Sequence, residues 1–176
     1  MMCFLRRSAL RAVWRGSANG GRLCATDRDR KMDPTGRRRL GQTDVSLSQF
    51  GLGTAPLSGF RDTIAEDVAL ASIQAAWDSG VRMFDTAPYY GYGRAGLRLA
   101  AVLRDKPRDG FVLSIKIGRV MHPLGRNGVP PLDWRTSGLR FVPEFDYSYD
   151  GVHRSPEQSM LRLGPRPWAS IRWQNL

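Results

Sequence analysis

A chain of 176 residues, 41% of them hydrophobic, is long enough for one ordinary domain with a core. It is too short for a complete ring of eight strand-helix units, which needs about 250 residues. The formal net charge of +11 would by itself suggest a nucleic-acid or anionic-membrane partner, but residues 1–39 carry eleven Lys/Arg against three Asp, net +8, and residues 40–176 carry sixteen against thirteen Asp/Glu, net +3.

The basicity therefore belongs to an N-terminal tail, residues 1–38, expected to be disordered. Both cysteines, Cys3 and Cys24, lie in it, which leaves the rest without a thiol for a disulfide, a metal or a nucleophile and suits the cytoplasm. No apolar run approaches the roughly 18 residues of a membrane span, because Arg6 and Arg7 interrupt the first one. Five arginines and no acid before Asp27 give the tail the composition of a mitochondrial transit peptide. Two other readings compete: Met32 opens a sensible start of its own, leaving the upstream residues without a role, or the tail is a nucleic-acid arm of a non-catalytic basic binding protein. Nucleic acid is the disfavoured partner, since the arginines are not interleaved with nucleic-acid motifs.

After the tail, two short apolar segments flank the turn-forming "GQTD", a hairpin leading into a strand near Phe50 to Thr54. "TIAEDVALASIQAAWDSG" reads as a helix with Thr63 as N-cap, Glu66 completing a capping box, and Ile64, Val68, Ile73, Ala76 and Trp77 at helical spacing up to Gly80. "VRMFDTA" is a short strand ending at Asp85. "GRAGLRLAAVLRDKPRD" is a second helix stopped near Pro107, and "GFVLSIKIG" a third strand. This alternation argues for βαβ units and a parallel sheet. From Gly118 to about Ser155 the sequence is rich in Gly, Pro and aromatics without a sustained period, as in a functional or disordered loop. A third helix is expected from Ser155 as N-cap with Pro156 at its first position, and with Met160, Leu161 and Leu163 on the apolar side. Residues 165–176 form an atypical C-terminal tail.

Asp85 ends one strand and Lys116 lies near the end of the next, 31 residues on, so adjacent parallel strands bring both to the end of the sheet where α/β folds bind ligands. Each has a plainer reading, as a turn former and as a solvated cation. Apolar neighbours on both sides of Lys116 would require a partner if it is buried, and Asp85 is the obvious one. Tyr89, Tyr90 and Tyr92 follow Asp85; a phenol is a poor proton donor at neutral pH unless a nearby cation stabilises its phenolate. Nothing in the spacing alone selects one of the three over simple packing.

"FDTAPYYGYG", with "SIKIG" about thirty residues later and "FGLGTAPLSG" at the first strand, resembles the aldo/keto reductase family. "FDYSYDGVHRSPEQSMLRLG" is similar to its subgroup of D-threo-aldose (L-fucose), pyridoxal and L-galactose dehydrogenases. The resemblance runs from about Arg39 to Gly164 and implies an α/β fold: the first three βα units of a TIM (β/α)8 barrel, within residues 39–164, preceded by the hairpin. It implies an oxidoreductase that interconverts a carbonyl and an alcohol on a small molecule such as a sugar or similar aldehyde. NADP or NAD would do the hydride chemistry. By the family's motif, Asp85, Tyr90 and Lys116 are catalytic: Tyr90 gives or takes the proton, Lys116 stabilises its phenolate and Asp85 holds Lys116. The family's fourth member, a His on the fourth strand, has no match; His122 and His153 lie in the wrong places. The chain thus reads as truncated after about Gly164, with turnover by these residues alone not expected.

Overall fold

The computed structural model describes residues 33, 35–59, 62–125 and 138–164. Residues 1–32 of the basic tail and the C-terminal tail 165–176 lie outside them, as do the readings placed there.

The first described elements are strands β1, Arg37–Arg39, and β2, Ser46–Ser48, paired antiparallel with Arg37 opposite Ser48. Gly41, at a φ of +54°, turns the chain between them, and the Leu40 N–H donates to the Val45 carbonyl at 2.8 Å. Three short strands follow and form one parallel sheet in the order β3-β4-β5: β3 Gly51–Gly53, β4 Met83–Asp85 and β5 Val112–Ser114. The register sets Gly53 beside Asp85 and Asp85 beside Ser114, so the strands end level. Helices α1, Glu66–Asp78, and α2, Arg94–Leu103, cross between successive strands. The parallel sheet with its crossover helices is the expected start of a barrel.

The main core lies between this sheet and the two helices. Ile73 of α1, Leu99 and Leu103 of α2, Phe84 at the centre of β4, Phe111 and Leu113 beside it, and Leu57 make one buried cluster. Trp77 stacks on Phe84 and meets Phe111 edge to face, with ring centres 6.5 and 6.0 Å apart. Val68, expected on the apolar face of α1, is exposed instead, because Ala69 and Ile73 carry the buried stripe.

Three local expectations are corrected. The capping box does not form: Ala65 occupies the N-cap of α1, and the Glu66 carboxylate, rather than reaching back to Thr63, accepts from Arg98 Nε at 2.8 Å. The aperiodic stretch after Gly118 contains a hairpin, β6 Arg119–Pro123 with β7 Phe141–Phe145. Its alternation is broken by Pro123 and Pro143, and a proline is tolerated in β7 because, among the described residues, only one side of that strand is paired. The third helix, α3, spans Tyr149–Leu163 and begins well before Ser155. Ser148 caps it, its Oγ accepting from the Gly151 N–H at 3.1 Å, and Pro156 sits inside the helix. Ser155 is buried and donates its hydroxyl to the Arg119 carbonyl at 2.8 Å. Leu161, placed on the apolar side from sequence, is 86% exposed.

Helix α3 covers the edge of β6 that faces away from β7. The Gln158 amide accepts from the Met121 N–H and donates to the Met121 carbonyl, both at 2.8 Å, so a side chain supplies the bonds that a further strand would. An open strand edge is thereby closed. No helix among the described residues is long and apolar enough to cross a membrane.

Candidate active site

The site is built where β4 and β5 end. Asp85 is the last residue of β4, and its backbone is locked from the neighbouring strand: the Thr54 N–H and hydroxyl both donate to the Asp85 carbonyl at 2.9 Å. Side chains two residues apart on a strand point to one face, so Ser114 and Lys116 converge on the same carboxylate. Ser114 Oγ donates to Asp85 Oδ1 at 2.8 Å and Lys116 Nζ to Oδ2 at 2.6 Å. Both carboxylate oxygens are engaged, and the Lys116 side chain is only 8% exposed. In such surroundings an ammonium is tolerated because a charge-assisted hydrogen bond compensates its lost hydration.

The three tyrosines, interchangeable in the sequence, have three different places. A 3-10 turn over Tyr90–Gly93 joins β4 to α2, and in it Gly91 and Tyr92 both take left-handed backbone, with φ of +61° and +52°. That conformation is easy for glycine and strained for a bulky residue. It drives the Tyr92 ring into a second buried cluster with Met121, against which Tyr89, Tyr90, Leu139 and Phe141 pack from outside. Tyr89 lies edge on to Tyr92 and beneath the Arg119 guanidinium, 4.1 Å from its ring centre. Tyr90 is the one beside the lysine: Lys116 Nζ stands 5.3 Å from its ring centre, within cation-π range. The structure therefore brings Asp85, Lys116 and Tyr90 together.

A shallow recess of about 10 Å3 opens at this end, lined by Lys116, Tyr89, Arg119, Phe145 and Tyr147. Gly118, at a φ of +89°, lets the chain turn from β5 into the hairpin, and the Tyr147 ring lies so close that a Cβ there would collide with it. A separate cavity of about 290 Å3 lies at the strand starts among Arg37, Asp44, Arg82, Arg108 and Asp109. Asp85, Tyr90 and Lys116 do not line it, and reaction chemistry in such folds sits at the opposite end of the strands.

A model described as the Aldo/keto reductase family matches residues 49–165, well over half of the chain. The chain belongs to the aldo/keto reductase family. It is 47% identical over 137 residues to pyridoxal 4-dehydrogenase of Microbacterium luteolum, covering 73% of this chain and 40% of that protein. It is 38% identical over 125 residues to D-threo-aldose 1-dehydrogenase of a Pseudomonas species, covering 68% and 37%. Among solved structures, an aldo-keto reductase from Pseudomonas aeruginosa superimposes with a TM-score of 0.56 at 28% identity, over 82% of this chain and 48% of that one. The chain thus spans about 40% of the length of the curated relatives it matches.

Within this aldo/keto reductase segment, the described histidines have other partners. His122 lies on β6, half exposed, 3.8 Å from the Glu144 carboxylate, and His153 packs its ring on Tyr149 at 4.5 Å. Ser114, Thr54 and Arg119 were not singled out from the sequence. Strand alternation could have found Ser114, two residues before Lys116; nothing local signals Thr54, whose partner is 31 residues away, or Arg119.

Proposed function

We propose that this chain carries the proton-transfer element of an aldo/keto reductase site that interconverts a carbonyl and an alcohol on a small molecule such as a sugar or similar aldehyde, and that it works in the cytoplasm. Tyr90 is the proton donor in reduction and the acceptor in oxidation. Lys116 stabilises the negative charge that the phenol acquires, and Asp85 fixes Lys116 in place. The observation that carries this reading is the double placement of one ammonium, 2.6 Å from a carboxylate oxygen and 5.3 Å from a tyrosine ring centre. General acid-base catalysis needs such a positioned donor with its charge supported. The relatives support the substrate class, since one is named for pyridoxal and another for D-threo-aldoses.

Membership of the family implies NAD or NADP as the hydride carrier. The recess beside Lys116 and the start of α1 do not fit such a dinucleotide. The recess beside Lys116 holds about 10 Å3, and the first turn of α1 carries Glu66 and Asp67, which oppose a phosphate at that helix end. No hydride step is therefore assigned to them.

The test is twofold. The purified chain is assayed for NADPH and NADH oxidation with pyridoxal and aldose substrates. Residues 49–165 are also exchanged into the pyridoxal 4-dehydrogenase of Microbacterium luteolum, and the chimera is compared with its Tyr90→Phe variant. An active chimera that loses on the order of 10²–10⁴-fold in kcat with Tyr90→Phe is expected. Equal turnover by both would exclude Tyr90 as the proton donor.

A further inference from the structure

Arg119 is the first residue of β6 and lies opposite Phe145 across the hairpin. Its guanidinium carbon lies over two rings, 4.1 Å from the centre of Tyr89 and 3.8 Å from that of Phe145, and Phe145 is backed in turn by a stacked Tyr147 at 5.9 Å. Such stacking uses the faces of the cation and leaves its edges, where all five N–H donors point. Among the described residues those donors meet no acceptor. The acids on the adjoining strand and turn are turned elsewhere. The Asp146 carboxylate accepts from the Ser148 hydroxyl and N–H at 2.6 and 3.0 Å, which holds its pKa below the usual carboxylate range. Glu144 stands by His122.

The position is as informative as the geometry. Arg119 and Lys116 line the same recess, and the carboxylate that neutralises Lys116 has both of its oxygens occupied. Two cations therefore border the reacting end with one counter-charge between them. An anionic oxygen is the group that relieves this imbalance and accepts from a planar fork, and a recess of about 10 Å3 admits a group of about the size of one water.

We propose that Arg119 is a specificity-determining residue that takes an oxyanion of the substrate, a carboxylate, phosphate or phenolate oxygen, and so orients the carbonyl toward Tyr90. The inference rests on the reading of Tyr90 and Lys116 as the reacting end, and adds to it the class of substrate preferred: aldehydes that carry an anionic group. Tyr89 and Phe145 act through Arg119, as positioning residues that hold its plane.

The test is a binding measurement on the chain itself and needs no turnover. Dissociation constants for 4-formylbenzoate and for its neutral methyl ester are measured by NMR titration. The wild type is expected to bind the carboxylate at least tenfold more tightly than the ester, and Arg119→Met to bring the two within twofold. Arg119→Lys, which keeps charge without the fork, is expected to recover only a minor part of the preference. Phe145→Leu, which leaves the guanidinium in place but unclamped on one face, is expected to reduce it several-fold. No preference in the wild type, or a full preference in Arg119→Met, overturns the proposal. The two readings fail separately: the proton-transfer role is lost if the chimera turns over equally well with Tyr90→Phe, whereas the oxyanion role is lost on the titration alone.

Discussion

The residue that most constrains the site is Asp85, because three groups depend on it. Its carbonyl takes two bonds from Thr54, one carboxylate oxygen takes Ser114 and the other Lys116. Asp85→Asn would leave the Lys116 ammonium, 8% exposed, without a counter-charge. An uncompensated buried charge costs about 3–5 kcal/mol, and the lower end applies here because Asp85 itself is 26% exposed. The expected outcome is a loss of about 3 kcal/mol in urea unfolding for Asp85→Asn, much of it recovered in the double variant Asp85→Asn with Lys116→Met. If the double variant were as unstable as the single one, the cost would come from packing rather than charge. At this scale the 31-residue separation pointed to Asp85 and Lys116 and the family motif to Tyr90, while the positive φ of Tyr92, which sends that ring to the core, is a backbone property that no spacing encodes.

Between elements, the tie with the clearest energetic consequence is Arg98 on α2, buried at 2% exposure. It donates to the Leu57 carbonyl through Nη1, to the Ile64 carbonyl through Nη2 at 3.2 Å, and to Glu66 through Nε at 2.8 Å, so one side chain fastens α2 to the loop that enters α1. The two kinds of partner are worth different amounts. Glu66 is 61% exposed, and an ion pair with an exposed partner contributes about 1 kcal/mol or less. The Leu57 carbonyl is buried and that of Ile64 partly so, and an orphaned buried acceptor costs about 1–3 kcal/mol. Arg98→Ala is therefore expected to lower stability by at least about 2 kcal/mol, and Glu66→Ala by less than about 1 kcal/mol. Equal losses in denaturant titrations would show that the ion pair, not the carbonyl bonds, joins the helices. Here the sequence misled, since Thr63 and Glu66 have capping-box spacing and the competing partner is 32 residues away. The same holds for Ser155, which has the local look of an N-cap and instead satisfies the Arg119 carbonyl of a neighbouring strand.

Over the whole of the described molecule, core and site are adjacent along one strand. Phe84 is fully buried against Trp77 and Phe111, and the next residue is Asp85. Truncating a buried aromatic costs about 3–5 kcal/mol, so Phe84→Ala is expected to lower stability by that amount and to weaken amide-exchange protection in β3, β4 and β5 together. Protection lost in β4 alone would mean that the three strands do not open as one unit. The second cluster, around Tyr92 and Met121, belongs to the turn before α2 and to the hairpin; its protection should outlast that of the sheet in this variant.

The sequence by itself determined the order of strand and helix from residue 51 to 114, the parallel sheet, and the meeting of an acid with a lysine at its end. These follow from periodicity and from the rule that neighbouring parallel strands finish on the same side, both of which are local or nearly so. Only the tertiary structure decided that Tyr92 turns into the core, that Ser114 shares the carboxylate, that a proline-broken stretch pairs as a hairpin under α3, and that Arg119 lies over two rings. Each of those depends on contacts between residues far apart in the chain or on a backbone torsion, and the free energy that favours them appears only when the elements pack.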